Sequence, residues 1–278
     1  MRLIWFAIFN LIACSTNDQA EKIDLSNEWD RDGWTLLWQD EFNGSSLDLS
    51  KWSREKGGHG WGNNELQYYT DHDSNSFVRD GKLIIRANIV PAGIGDQNQL
   101  RYFSSARLRT SGKGDWKYGR LDVRAKLALG QGIWPAIWML PTDWIYGGWP
   151  KSGEIDIMEH VGRDEGRVHG SVHTESYNHK IGTQRTKTIM LSDVKDSFHV
   201  YSIEWYEDRI DFFIDDTKYF TFANDNNNDY KTWPFNQRFH LLINVAVGGD
   251  WPGAPDNTTV FPQEMNIDYV RVYIPKVQ

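Results

Sequence analysis

Cysteine is nearly absent from this chain of 278 residues, in which Cys14 is the only one. A domain that lies downstream of it can form no internal disulfide, so its stability must come from its buried core. An excess of basic residues is missing too, because the formal net charge is −8. Nucleic-acid-binding proteins carry a basic stripe, and we therefore expect no nucleic-acid partner.

Long hydrophobic runs are lacking as well, apart from a short one at the N-terminus. After Arg2, residues 3–13 are mostly apolar, and this stretch is too short to span a bilayer. It ends in LIAC (residues 11–14), which resembles a bacterial lipobox and predicts that Cys14 carries lipid. An ordinary secretory signal, cleaved nearby, is the alternative.

This N-terminal pattern predicts how the chain is organised. We expect residues 1–14 to be a lipoprotein signal segment, residues 15–30 a polar tether and residues 31–278 one folded domain. The protein would then be an exported bacterial lipoprotein, anchored at the outer membrane or cell surface. It would touch a membrane only through its lipid, and we expect a monomer.

Helical periodicity is also missing, since no amphipathic helix longer than two turns and no internal repeat can be found. Short alternating segments bounded by turn residues take its place. The clearest of them are residues 83–87, 119–126, 201–205, 211–215, 240–247 and 267–273. Many short strands separated by glycine-rich turns predict an all-β sandwich or barrel.

Aromatic residues are abundant, with 14 Trp, 12 Tyr and 13 Phe. Many must lie in the core, because aromatic side chains dominate burial. In the segment IWPAIWML (residues 133–140), however, Trp134, Ala136 and Trp138 share one face of a predicted strand. A tryptophan-rich strand face suits the apolar faces of sugar rings as well as it suits a core.

Three acids fall within six residues of the run GEIDIMEH (residues 153–160). On a strand, Glu154 and Asp156 share a face, whereas Glu159 points to the other face by simple alternation. One extra residue, a β-bulge near position 157 or 158, would bring Glu159 back beside the other two. Three converging acids repel one another, so at least one should hold a proton near neutral pH. A solvated strand face is the alternative, and we disfavour it because acids are poor strand formers.

The chain resembles glycoside hydrolase family 16, and within that family the bacterial laminarinases, which are endo-β-1,3-glucanases. The core of the resemblance is EIDIME (residues 154–159), the bulge-containing form of the family signature; lichenases carry a form one residue shorter. The flanking motifs match in order and spacing. They are WQDEF (38–42), GWGNNELQYYT (60–70), WPKSG (149–153) and VHGSVHT (168–174). The resemblance covers roughly residues 34–274 and is strong because the motifs are in register.

The resemblance implies a β-jelly-roll sandwich of two curved antiparallel sheets with a concave substrate cleft. It implies a retaining double displacement in which Glu154 is the nucleophile, Glu159 the acid/base and Asp156 the assisting acid. Retention requires two carboxyl groups about 5–5.5 Å apart, which two long Glu side chains can achieve across a bulged strand. No cofactor is expected for this catalysis.

Weaker assignments follow from the same resemblance. The substrate-binding residues would be Asn64, Trp134, Trp138, Trp149 and His173, whereas Asn63 would serve the turn. A structural calcium would be held by Glu41, the Gly81 carbonyl and Asp268. A zinc site using His169, His173 and Glu159 is a disfavoured alternative, because the spacing suits no standard site.

Function is expected to be the cleavage of laminarin-type β-1,3-glucan, so the expected partner is a polysaccharide. Two rival interpretations remain open from the sequence. One is a non-catalytic carbohydrate-binding sandwich, since fold does not fix function. The other is the same fold and mechanism acting on mixed-linkage β-glucan or on a marine galactan.

Overall fold

The computed structural model describes residues 30–31, 33–96 and 98–276. Cys14, the signal segment and nearly all of the tether therefore lie outside the described residues. The described chain folds into 18 strands and one 3₁₀ helix, at His179–Ile181. The strands are β1 (Trp34–Asp40), β2 (Ser53–Arg54), β3 (Gln67–Tyr69), β4 (Ser76–Arg79), β5 (Lys82–Ile94), β6 (Arg101–Ser105), β7 (Arg107–Arg109), β8 (Asp115–Trp116), β9 (Gly119–Lys126), β10 (Ile133–Pro141), β11 (Glu154–His160), β12 (Arg167–His173), β13 (Arg185–Met190), β14 (His199–Trp205), β15 (Arg209–Ile214), β16 (Thr217–Ala223), β17 (Phe239–Val247) and β18 (Gln263–Pro275).

These strands form two sheets, which confirms the predicted all-β sandwich. The ten-stranded sheet has the order β16-β15-β14-β9-β18-β5-β6-β3, with β1 paired to β18 and β4 paired to β5. The eight-stranded sheet has the order β13-β12-β11-β10-β17-β7-β2, with β8 paired to β17. Strands distant in sequence are neighbours in both sheets, as in a jelly roll.

One hydrophobic core fills the space between the sheets, and side-chain alternation decides which residues enter it. On β10, Ile133, Ile137 and Met139 belong to the core, whereas Trp134 and Trp138 are partly exposed on the opposite face. On β17 the core members are the odd-numbered positions between 239 and 247. The even-numbered positions of β10 and β17 therefore share the outer face of the eight-stranded sheet.

The predicted strand segments agree with the observed ones within a few residues. Residues 119–126 coincide with β9, and residues 240–247 lie within β17. No helix among the described residues is long and apolar enough to cross a membrane.

Candidate active site

The bulge predicted in β11 is present. Against β12, Asp156 pairs with Ser171 and Glu159 with His169, so two residues of β11 face a single residue of its neighbour. Against β10, the partners are Met158 for Ile137 and Asp156 for Trp138, which identifies position 157 as the extra residue. The bulge returns Glu159 to the face that carries Glu154 and Asp156, and all three acids line one small cavity of about 60 Å³.

Two larger cavities adjoin the acids on the same face of the sheet. One of about 300 Å³ reaches from Glu154 toward Trp144 and Trp149, and one of about 580 Å³ reaches from Glu154 and Glu159 toward Trp251. We call these three cavities together the cleft. Since Glu154 lines all three, the acids lie where the two larger cavities meet.

Tryptophan N–H groups hold both glutamates of the signature. Trp149 donates its indole N–H to Oε2 of Glu154 over 2.5 Å, and Trp134 donates to Oε1 of Glu159 over 3.1 Å. Trp138 donates instead to Oδ1 of Asn244 at 2.7 Å. The predicted substrate-binding tryptophans all line the cleft, and two of them also orient a carboxyl group.

Burial raises the pKa of all three acids, and repulsion by neighbouring acids adds to the effect at Glu154 and Glu159. Burial, followed by the charge of Asp156, raises the pKa of Glu154 to about 8. Burial raises the pKa of Asp156 to about 7. Burial, then the charges of Asp156 and Glu154, hold the pKa of Glu159 well above its usual range. Glu159 is therefore the acid that keeps its proton at neutral pH, as an acid catalyst must.

The carboxyl groups of Glu154 and Asp156 lie side by side and perturb each other's pKa, and a proton on one of the two would let it donate to the other. When Asp156 carries that proton, Glu154 is ionised and is stabilised by two donors, the Asp156 O–H and the Trp149 N–H. The two carboxyl groups titrate as a pair, so their pKa values belong to the pair rather than to either residue.

His173 lies beside these acids, as predicted for a cleft residue. It pairs with Glu154 across the strands, and its Nε2 atom is 3.1 Å from Oδ2 of Asp156. Ligand atoms of Glu154, Asp156 and His173 lie within 4.8 Å of one another, so this trio could hold a metal ion. The same carboxyl groups would then be unavailable for glycosidic chemistry. His169, named in the zinc alternative, is not a member of this trio.

Asn64 was expected to contact substrate and Asn63 to serve the turn, but the structure places Asn63 at the cleft and Asn64 in the turn. Asn63 lines all three cavities of the cleft. Asn64 is exposed, adopts a positive φ of 55°, and donates its amide to the carboxylate of Asp250 at 2.9 Å. Asn64 does not line these cavities, whereas Asn63 does, and a substrate contact by Asn64 stays a prediction. Asparagine tolerates the left-handed conformation at position 64. This conformation turns the side chain of Asn64 away from the cleft and leaves that of Asn63 facing it.

Sequence reasoning missed a buried polar network beneath the acids. Glu65 accepts hydrogen bonds from Gln67 at 2.6 Å and from Asn63 and Tyr69 at 3.3 Å. The hydroxyl of Tyr69 accepts in turn from the amide of Asn244. The signal lay in the motif of residues 60–70, where Asn63, Glu65, Gln67 and Tyr69 occupy alternate positions, but its strand β3 was too short to detect by periodicity.

Arg107 lines the small cavity that holds the three acids. Its guanidinium lies 4.7 Å from the ring centroids of both Trp61 and Trp138. Arg107 and Arg109 both pair with Glu55. Arg107 and Arg109 share this one carboxylate, so Glu55 offsets one of their two positive charges.

The residues predicted to hold calcium are engaged in ion pairs. Both carboxylate oxygens of Glu41 accept from Arg271 at 2.8 Å, and Asp268 pairs with Arg124 at 2.5 Å. Gly81 lies in the turn between β4 and β5. Both predicted carboxylate ligands are therefore engaged by guanidinium groups, and the Gly81 carbonyl that remains does not make up the six to eight oxygens that calcium takes.

Comparison with known proteins agrees with this geometry. The model of the Glycosyl hydrolases family 16 matches residues 61–271. A curated β-glucanase from Rhodothermus marinus is 46% identical over 98% of this chain and 94% of its own length. The crystal structure of the laminarinase from Rhodothermus marinus has 47% identity and a TM-score of 0.82, covering 88% of this chain and 98% of that one.

A second solved structure is that of a non-specific endo-β-1,3(4)-glucanase from family GH16, with a 1,3-β-D-cellobiosyl-glucose at its active site. It is 41% identical, with a TM-score of 0.83, and the match covers 88% of this chain and 96% of that one. Since the family model spans most of the described chain and these relatives align over nearly all of it, this protein belongs to glycoside hydrolase family 16.

Proposed function

We propose that this protein is a retaining endo-β-1,3-glucanase of the laminarinase type. The observation that carries the proposal is the bulged strand β11, which brings two glutamates to one face and leaves each with an indole N–H donor. A non-catalytic binding module has no use for three buried acids whose pKa values are raised. An enzyme needs that arrangement, because one acid must start protonated.

In the first step, ionised Glu154 attacks the anomeric carbon, and the bond from that carbon to the glycosidic oxygen breaks. Glu159 gives its proton to the departing oxygen, so the leaving sugar is released as an alcohol. The chain is then held as a glycosyl ester on Glu154. Loss of the proton leaves Glu159 as a carboxylate, which the Trp134 N–H stabilises.

In the second step, Glu159 removes a proton from a water molecule, whose oxygen attacks the anomeric carbon from the opposite face. The ester bond to Glu154 breaks, and Glu154 recovers its negative charge. Two inversions return the sugar to the β configuration. Asp156 is the positioning residue, since its carboxyl group lies beside Glu154 and, when ionised, raises the pKa of both Glu154 and Glu159.

The proposed substrate is a neutral β-1,3-glucan. Trp134, Trp138, Trp144, Trp149 and Trp251 give the cleft flat apolar surfaces that suit pyranose rings. Mixed-linkage β-glucan is the second candidate, favoured by the similarity to the endo-β-1,3(4)-glucanase described above.

Product analysis on laminarin, lichenan, agarose and carrageenan at equal mass tests the proposal. We expect rapid endo-cleavage of laminarin, weaker cleavage of lichenan, and no cleavage of the two galactans. Proton NMR at early times should show that the first-formed reducing end is the β anomer. A first-formed α anomer would mean that a water fits between the acids, and preference for a galactan would overturn the substrate assignment.

A further inference from the structure

We propose that a second cavity, outside the cleft, binds a glucose unit of the same β-glucan. We call it the tyrosine cavity; it has a volume of about 190 Å³, and its aromatic lining residues are Tyr118, Tyr146, Tyr230 and Trp233. None of its lining residues lines the cleft. This inference rests on the proposed function, because it takes its ligand from there.

The tyrosines form a preorganised aromatic wall. The rings of Tyr146 and Tyr230 stack at a centroid distance of 4.8 Å and an interplanar angle of 6°. The Tyr146 hydroxyl donates to Oδ1 of Asn236 at 2.8 Å, which fixes the ring. Both rings are only partly buried. A rigid flat pair with one side open offers a sugar ring an apolar surface at little entropic cost.

The polar residues of the tyrosine cavity select the class of ligand. Its remaining lining residues are two carboxylates, Glu207 and Asp229, and the amides of Asn224, Asn228 and Asn236. The lining contains no cationic side chain, so it would repel sulfate or phosphate groups. Carboxylates and amides accept and donate hydrogen bonds to hydroxyl groups, and this set suits a neutral polyol.

Trp233 adds a fixed aromatic ring to the wall of this cavity. Its side chain is only 6% exposed, and its indole N–H has no hydrogen-bond partner. The ring itself is fixed by stacking on Phe222 and by an edge contact with Phe235. A ring fixed in this way gives the cavity a preformed apolar surface.

The position of the tyrosine cavity suggests what a second site would do. Tyr146 belongs to the loop of residues 142–153, and Trp144 and Trp149 of the same loop line the cleft. The volume is small, so the cavity suits one ring rather than a long oligosaccharide. A polymer held there would have a raised effective concentration at the cleft, whereas a short oligosaccharide would gain nothing.

The test uses full-length protein carrying Glu154→Gln, which binds without cleaving. Affinity electrophoresis through laminarin gels measures its apparent Kd with and without Tyr230→Ala. We expect Tyr230→Ala to raise that Kd by about threefold or more, and to raise KM on laminarin in the active background. The kcat/KM on laminaritetraose should stay within about twofold, since this substrate fits in the cleft alone.

Tyr102→Ala is the matched control, because Tyr102 is 56% exposed and lines neither cavity. Asn228→Gly is the second variant, since glycine adopts the φ of 54° found there without strain, and its fold is expected to be intact. An unchanged Kd in both Tyr230→Ala and Asn228→Gly overturns the inference. If the parent is not retarded by laminarin and the active protein releases no reducing sugar from it, the proposed function fails instead.

Discussion

Trp149 donates its indole N–H to Oε2 of Glu154, five residues further along the chain. This bond lowers the pKa of Glu154 and thereby favours the ionised nucleophile against the burial that disfavours it. Trp149→Phe keeps an aromatic ring and removes the donor. We expect kcat/KM on laminarin to fall by about 10–100-fold, the worth of a hydrogen bond to a charged group. The acid limb of the pH profile should move to higher pH.

Trp144→Phe is the control for that variant, because Trp144 lines the same cavity and donates no hydrogen bond to an acid among the described residues. It should weaken binding without moving the acid limb. If both variants show the same unshifted profile, the bond to Glu154 has no role in setting the charge of the nucleophile.

The two glutamates should respond differently to removal. Glu159→Ala removes the proton donor, so activity on laminarin should fall by about 10²–10⁴-fold. An aryl glycoside with a good leaving group needs no acid and should be cleaved much better by this variant. Added azide should then trap the ester on Glu154 and give the β-glycosyl azide.

Glu154→Ala should lose essentially all hydrolysis, and azide in the vacated space should attack from the opposite face. The product should be the α-glycosyl azide, identified by proton NMR. If the two variants give these anomers in exchanged order, the assignment of nucleophile and acid/base is wrong.

Asp156→Asn should shift the pH dependence of kcat/KM. The negative charge of Asp156 is the second cause, after burial, that raises the pKa of both Glu154 and Glu159. Without it, both pKa values fall, so both limbs of the profile should move to lower pH, with a loss of rate at the optimum. Limbs that stay in place, or move upward, would contradict the proposed positioning role.

Stability should also depend on pH through these acids. A carboxyl group whose pKa is raised in the folded state binds more protons there than in the unfolded chain. Its contribution to the free energy of unfolding is complete below pH 4.5, the pKa of the group in the unfolded chain. That contribution is lost as the pH rises through the pKa of the group in the folded state. Glu159→Gln cannot ionise, so its Tm should exceed that of the wild type by roughly 3–6 °C at pH 8.

The same Tm difference should nearly vanish at pH 4, where both proteins carry a neutral group at this position. Glu165→Gln is the control, because Glu165 forms an exposed pair with Lys195 at 3.4 Å and should show no such trend. If the Tm difference between Glu159→Gln and the wild type does not grow with pH, Glu159 is not held protonated by its surroundings.

We also propose that Cys14 anchors the protein to a membrane. The wild type, expressed in a native-like bacterial host, should partition with membranes and carry lipid detectable by mass spectrometry. Cys14→Ser should be recovered as soluble protein with unchanged activity, because β1 starts well downstream at Trp34. Wild-type protein that stays wholly aqueous would refute the anchor.

Alternation alone was enough to predict much of this fold and the centre of its site. The strict pattern of residues 119–126 predicted β9, and three acids in six residues predicted the bulge that β11 contains. These features are local, so the sequence carries them within a single strand. The resemblance to a family then supplied the jelly-roll architecture.

Contacts between residues that are far apart in the sequence could not be predicted from local alternation. Glu65 and Tyr69 meet Asn244 only because the segment before and within β3 packs beside β17, about 180 residues later. The placement of Asn63 rather than Asn64 at the cleft depends on a single positive φ, which no pattern of residue types reveals. The arginine pairs on Glu41 and Asp268 likewise join residues that are 230 and 144 positions apart.

The bulge at position 157 gives the strand a tolerance for losing one residue. Residues 157 and 158 together face only Gly170 of β12, while the pairs Asp156–Ser171 and Glu159–His169 hold on either side. Deleting Ile157 would leave a regular ladder, and Glu154, Asp156 and Glu159 would still share one face by plain alternation. Strand β11 can therefore exist in two lengths that both keep the acids on one face. A single deletion would convert the longer signature into the shorter one, with no intermediate sequence in which the acids point to opposite faces.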